Sequence, residues 1–183
     1  MGCFSMKVLA ISSSPRLHGN SDLLCDQFLK GAAEAGYAVE KIRLAESVLS
    51  PCAACDACQS GGACVKEDGM ENILRDVIDA DVIVLATPVY FYSMCAQMKI
   101  FIDRCFARFQ EIRSKDFFFI VTSAAPQRET VEAAIAGLRG FLRCLPEARE
   151  RGIIYGTGAW DKGDILRHPA YEKAFELGKG LSE

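Results

Sequence analysis

The sequence predicts a three-layer α/β domain. Its core is a five-stranded parallel sheet in the doubly wound order 2-1-3-4-5, with helices on both faces. Three observations predict it. Strand-like and helix-like segments alternate along the chain, the pattern of a parallel sheet whose crossovers are helices. The runs Asp81-Val-Ile-Val-Leu-Ala86 and Asp116–Thr122 are continuously apolar, as strands covered on both faces are. The first strand ends in a loop rich in Ser, Pro and Gly that opens onto a helix. Residues 1–183 read as a single domain with a cysteine-rich loop at 45–68.

The elements follow in order. Met6–Ser12 is the first strand, and Ile11–Ser21 is the loop after it, with Asn20 or Ser21 capping the next helix. Leu24, Phe28 and Ala32 recur at helical spacing until Gly36. Tyr37–Leu44 alternates, like a strand exposed on one face. Ala45–Asp68 carries Pro51, four cysteines and a Gly-Gly pair, a loop long enough to suggest function. Met70, Ile73, Leu74, Val77 and Ile78 mark a helix before the central strand at Asp81–Ala86. Thr87–Ser93 reads as a loop and Met94–Phe109 as a helix, with Met98, Phe101, Ile102 and Cys105 inward. After the strand Asp116–Thr122 comes the loop Ser123–Arg128. The helix Glu129–Leu145 is interrupted by Gly137 and Gly140 and stopped by Pro146. Arg151–Gly156 is the last strand. Pro169–Leu181 closes the chain as a helix started by His168.

Bulk properties exclude several function classes. A formal net charge of -3 gives no basic footprint for nucleic acid or an anionic membrane. Apolar runs such as Val82–Ala86 are far too short to span a bilayer, and no secretory signal is evident. Nine cysteines without an export signal point to thiols or metal ligands in the cytoplasm.

In the predicted strand order, three loops border one crevice at the carboxyl ends of the strands: Ser12–Ser21, Thr87–Ser93 and Ser123–Arg128. The first gathers hydroxyls, Arg16 and a helix N-terminus, a cup for an anion. It lacks Gly-x-x-x-x-Gly-Lys-Ser/Thr and Gly-x-Gly-x-x-Gly, which argues against nucleoside triphosphate hydrolysis and a dinucleotide. One terminal phosphate is the natural guest. The second loop offers Pro88 and the aromatics Tyr90, Phe91 and Tyr92, walls for a flat ring. A single phosphate at one end and a planar ring at the other describe flavin mononucleotide (FMN).

These motifs resemble the flavodoxin-like NAD(P)H-dependent FMN reductases. Ser14-Pro-Arg-x-x-Gly-Asn-Ser21 is similar to their phosphate loop. Asp81-Val-Ile-Val-x-Ala-Thr-Pro-Val-Tyr-Phe91 with Lys99-x-Phe-Ile-Asp-Arg104 is similar to their second signature. Asp161-Lys-Gly-Asp164 and Glu176-Leu-Gly-Lys179 follow in the same order. The resemblance implies that Ser12, Ser14, Arg16, Asn20 and Ser21 hold the phosphate. It implies that Pro88, Val89, Tyr90, Phe91 and Ser93 hold the isoalloxazine, with Ser123 at its edge. Ser13 stands where relatives have Gly, and Ser123-Ala-Ala-Pro126 lacks their glycines.

Cys52-x2-Cys55-x2-Cys58-x5-Cys64 places three thiols at intervals of three and a fourth beyond the Gly-Gly turn. A [4Fe-4S] cluster needs four converging thiolates, and the first two spacings match bacterial ferredoxin runs, whereas the last gap is longer and no Pro follows it. Zinc, a redox disulfide and an empty loop remain alternatives. The motif resembles that of iron–sulfur flavoproteins, a branch of the same family. Cys3, Cys25, Cys95, Cys105 and Cys144 read as scattered or core thiols.

Other polar residues read as structural. Lys99 and Asp103 form a helix-face pair, His18 a solvated loop residue, and Trp160 a packing residue rather than a ring-stacking one. No acid–base constellation is evident, so no catalytic side chain is named; in flavin chemistry the protein supplies position and electrostatics. The expected function is FMN-dependent reduction by NAD(P)H of flavin, quinone or a similar small acceptor. The alternative is an electron carrier joining FMN to a [4Fe-4S] cluster and a redox protein partner, and a scaffold without redox work is a third possibility. The resemblance implies a homodimer or tetramer.

Overall fold

A computed structural model describes residues 6–61 and 63–181; Cys3 lies outside the described residues. Its strands are β1 (Lys7–Ser12), β2 (Ala38–Arg43), β3 (Val82–Tyr90), β4 (Ser93–Met94), β5 (Asp116–Ser123) and β6 (Arg149–Thr157). The helices are α1 (Asn20–Glu34), α2 (Ala57–Gly61), α3 (Met70–Asp79), α4 (Ala96–Arg104), α5 (Glu132–Leu142) and α6 (Pro169–Lys179). The five long strands are parallel in the order β2-β1-β3-β5-β6. This is the predicted order, renumbered because the two-residue β4 hairpins back antiparallel onto the end of β3.

Strand alternation builds two cores. Leu9, Ile11, Ile83, Leu85, Phe117 and Phe119 face α3, α4 and α5. Their neighbours Val8, Ala10, Val84, Ala86, Phe118 and Ile120 face α1 and α6. The period of two sends successive residues of a buried strand to opposite faces, so both sets are apolar.

The α1 and α6 helices cross at glycines. A Cβ on Gly31 would sit 2.1 Å from the Phe175 carbonyl oxygen, and one on Gly178 would sit 2.0 Å from that of Phe28. Backbone meets backbone there, which accounts for a glycine in the Glu176–Lys179 motif.

Four sequence expectations need correction. Thr87–Ser93 is not a loop: β3 runs on to Tyr90, and Phe91-Tyr92 turn it into β4. Pro88 is tolerated because β1 pairs with β3 only as far as Ala86, so the missing N–H breaks no ladder on that side. The helix after Cys95 ends at Arg104 and continues as 3-10 turns through Glu111. Gly137 and Gly140 do not interrupt α5, which ends at Leu142, before Pro146. Finally, neither Asn20 nor Ser21 caps α1; Gly19 holds that position, without a side-chain cap. Among the described residues, no helix is long and apolar enough to cross a membrane.

Candidate functional site

The β1–α1 junction, the end of β3 and the end of β5 meet at the carboxyl edge of the sheet, around a cavity of about 490 Å³. That volume lies within the range of small-molecule and cofactor sites. Of the predicted residues, Ser14, Arg16, Asn20, Ser21, Pro88, Val89, Tyr90, Phe91 and Ser123 line it. Ser12 and Ser93 do not.

The end of the cavity at the β1–α1 turn is assembled from behind. Ser12 is fully buried and donates to Asp22 Oδ1 at 2.7 Å, so its hydroxyl braces the loop instead of facing the cavity. Asp22 Oδ2 accepts the His18 N–H at 3.0 Å, with His18 in the left-handed region at φ 55°. Lys41 neutralises this carboxylate at 3.3 Å and Arg43 at 3.4 Å. Burial pushes the Asp22 carboxyl up, but the Ser12 hydroxyl and Lys41 outweigh it and hold it below its ordinary range. A fixed negative charge behind an anion site would oppose binding; here it is paired by two cations. The signal was present in the sequence as an acid at the third helical position after Gly19.

In front of this brace, Ser21 lies in the first turn of α1, 1% exposed, and its hydroxyl has no hydrogen-bond partner among the described residues. A buried hydroxyl without a partner is costly in the empty fold and points to a ligand. Gly19 completes the cradle: a Cβ there would meet Ser14 Oγ at 2.5 Å. The α1 N-terminus adds its dipole and free N–H groups, and Arg16 adds an exposed positive charge.

Asn20 has another task. Its Nδ2 donates to the carbonyls of Ala159 at 3.2 Å and Asp161 at 2.9 Å. Its Oδ1 accepts from Gly163 N at 3.0 Å and Ile165 N at 3.4 Å. The side chain thus fastens the loop after β6 to the β1–α1 loop. That loop carries Trp160, which is 73% exposed and lines the cavity, a placement the sequence did not reveal. Gly19, Thr122, Ala124 and Ala159 are the other lining residues that sequence reasoning missed.

Another wall of the cavity is the tip of β3. Phe91 and Tyr92 both take positive φ, 48° and 64°, the two-residue hairpin geometry that favours Asn-Gly over aromatics. Ser93 follows that turn and is exposed. Beneath the tip, Ser13 donates through Oγ to the Ala86 carbonyl at 2.7 Å, and the Cys95 thiol donates to the Ser13 carbonyl at 3.2 Å. Thr87 Oγ1 accepts the Cys95 N–H at 3.1 Å. Ser13 therefore uses its hydroxyl to join β1 to β3.

The four cysteines lie elsewhere, beyond the far end of α4. Cys52, Cys55, Cys58 and Cys64 line one small cavity of about 30 Å³ with Lys66 and Phe106. Ala54 and Asp56 take φ of 50° and 55°, and Ala54 N–H donates to Cys52 Sγ at 3.4 Å. Left-handed residues between cysteines turn backbone N–H groups toward sulfur, as anion-binding nests do. Among the described residues, no three of these sulfurs lie within 4.8 Å of one another. Cys25, Cys95 and Cys105 are buried, as expected of core thiols, whereas Cys144 is exposed. Burial pushes the thiols of Cys25 and Cys105 well up, so both stay protonated. Lys99 pairs with Asp103 on the α4 surface, and His168 caps α6 by accepting the Ala170 N–H.

Comparison with known proteins bears on both features. The family model for NADPH-dependent FMN reductase matches residues 6–147. An iron-sulfur flavoprotein of Archaeoglobus fulgidus is 39% identical over 99 residues, 54% of this chain and 45% of that protein. The chain spans about half the length of the curated iron-sulfur flavoproteins it matches. YwqN of Bacillus subtilis, named as a candidate NAD(P)H-dependent FMN-containing oxidoreductase, is 26% identical over 187 residues, 95% of this chain and 97% of its own. An NAD(P)H:quinone oxidoreductase from Methanothermobacter marburgensis has a similar structure, with a TM-score of 0.78 at 16% identity, covering 98% of this chain and 97% of that one. At that identity the likeness is one of fold, and the fold is flavodoxin-like.

Proposed function

We propose that this chain, which belongs to the NADPH-dependent FMN reductase family, binds FMN and uses NAD(P)H to reduce a small acceptor such as a quinone or a free flavin. The observation that carries the reading is the buried, unpartnered Ser21 hydroxyl in a cup that Gly19 leaves open at the N-terminus of α1. Ser14, Arg16 and Ser21 would hold the phosphate. Pro88, Val89, Tyr90, Phe91 and Ser123 would wall the ring, with Trp160 at the mouth. When bound, the flavin supplies hydride acceptance and onward electron transfer. The chain's own contribution is placement: the Asp22 brace keeps the phosphate loop closed, and Asn20 holds the Trp160 loop beside it. No acid or base is assigned, because flavin hydride transfer does not require one from the protein.

Reconstitution tests this reading. Stoichiometric FMN uptake followed by rapid bleaching of the flavin absorbance with NADH or NADPH is expected; a chain that takes up no FMN refutes it. We expect a homodimer or tetramer acting in the cytoplasm, and size-exclusion chromatography with light scattering decides the assembly.

A second reading adds a [4Fe-4S] cluster at Cys52, Cys55, Cys58 and Cys64, making the protein an electron carrier between FMN and a redox partner. The left-handed Ala54 and Asp56, within a cavity lined by all four cysteines, favour it over an empty loop. Four irons and four sulfides per chain after anaerobic purification are expected, with a broad visible shoulder on the flavin spectrum. Absence of both after iron and sulfide reconstitution leaves the reductase alone.

A further inference from the structure

Arg104 ends α4 and is 2% exposed. Its guanidinium forks onto Asp68, Nη1 to Oδ2 at 2.6 Å and Nη2 to Oδ1 at 2.9 Å. Nη1 also donates to the Ser50 carbonyl at 2.8 Å, and Asp68 Oδ2 accepts the Ser50 N–H at 2.8 Å. Ser50 and Asp68 bracket the segment that carries the four cysteines. One buried fork therefore pins both ends of that segment to the last turn of a core helix. Such a fork fixes orientation as well as charge, which a lysine cannot do. Its hydrogen bond holds the Asp68 carboxyl down at about 2. Arg104 is pushed up, first by its hydrogen bond to Asp68. The guanidinium Nε is buried and has no hydrogen-bond partner among the described residues.

We propose that Arg104 is the positioning residue of the cysteine loop: it clamps the loop's two ends to α4 and sets a buried cation at the base of that loop, so that the loop is held ready for an anionic cluster. The cation's role rests on the cluster reading above; the clamp does not. A loop ordered only by its cluster would have no such scaffold when empty. A cation at the base of the loop would favour the more negative, reduced form of the cluster and raise its potential.

Two measurements on the full chain test this. In FMN-loaded, iron-free protein, trypsin cleavage after Lys66 reads the clamp. Arg104→Gln is expected to be cut about tenfold faster or more, the factor for losing one charge-assisted hydrogen bond. In anaerobically reconstituted protein, a redox titration reads the cation: the cluster of Arg104→Gln is expected at a more negative potential than wild type. Arg104→Lys keeps a cation without the fork, so it should retain more of the wild-type potential while being cut as fast as Arg104→Gln. FMN affinity, set at the other end of α4, controls for folding and should not change. Should the Arg104 variants lose FMN, Asp68→Asn, which leaves the guanidinium in place, reads the clamp by the same digestion. Wild-type cleavage rates in these variants, or an unchanged potential in Arg104→Gln, overturn the proposal. A wild type that takes up no iron sinks the cluster reading and the cation's role with it, and leaves digestion to decide the clamp.

Discussion

Replacing Ser21 with alanine should weaken cofactor binding and stabilise the empty protein at the same time. The Ser21 hydroxyl is 1% exposed and has no hydrogen-bond partner among the described residues. A hydrogen bond from a neutral hydroxyl to a charged phosphate contributes about 1.5–3 kcal/mol, so its loss raises the FMN Kd by roughly 10- to 150-fold. The empty protein carries the opposite burden, because an unsatisfied buried hydroxyl costs about 1–3 kcal/mol. Removing it should raise the apo Tm by about 2–4 °C for each kcal/mol recovered in a domain of this size. Flavin fluorescence titration and thermal melts of the apoprotein measure the two effects. Riboflavin, which lacks the phosphate, supplies the control: its affinity should be the same in Ser21→Ala and wild type. Ser12→Ala should behave in reverse. Its hydroxyl serves Asp22 at 2.7 Å, so removal destabilises the apoprotein by about 1–3 kcal/mol. Equal losses for FMN and riboflavin in Ser21→Ala, or a destabilised apoprotein, would refute the assignment of Ser21 to the phosphate.

Other substitutions read other parts of the structure. Gly19→Ala drives a Cβ to 2.5 Å from Ser14 Oγ and should abolish FMN binding at micromolar concentration with little change in urea stability, by the same titration. Asn20→Ala removes the fastening of the loop after β6; the anisotropy of Trp160, the single tryptophan, should fall while FMN and riboflavin affinities drop together. Gly178→Ala sets a Cβ 2.0 Å from the Phe28 carbonyl oxygen and should cost about 3 kcal/mol or more in urea unfolding, since backbone cannot step aside as a side chain can. Asp68, held at about 2 against an ordinary 3.8, stabilises the fold above pH 4 by about 2 kcal/mol. That contribution is lost as the pH falls through about 2, and Asp68→Asn should flatten the dependence of urea stability on pH in that window.

What could be read from the chain depended on range. The continuous apolar runs at 82–86 and 117–121 announced strands covered on both faces, and strand alternation did build the two cores. Ser14 and Ser21, which line the cavity, could be named from the sequence because an anion cup is made within one βα turn. Ser12, in the same turn, was misassigned because only the fold shows that a carboxylate ten residues on takes its hydroxyl. Asn20 was named for the phosphate, but its fastening role and the placement of Trp160 escaped for the same reason, since they depend on a contact spanning some 140 residues. The strand-like extension through Pro88 contradicted local propensity. It becomes possible only because β1 stops pairing at Ala86.

One helix sets the relation between the two candidate centres. Cys95 caps α4 and hydrogen-bonds to Ser13 and Thr87 under the cavity proposed for FMN, whereas Arg104, its last residue, carries the fork that holds the cysteine segment. Nine residues of helix span ~13 Å. Met98 and Phe101 are buried on its inner face, so α4 cannot slide without opening the core it shares with α3 and α5. The spacing between the phosphate-loop network and the cysteine loop is thus fixed by core packing rather than by either loop. A substitution in one loop should leave the other in place, and the FMN and proteolysis measurements can be read independently.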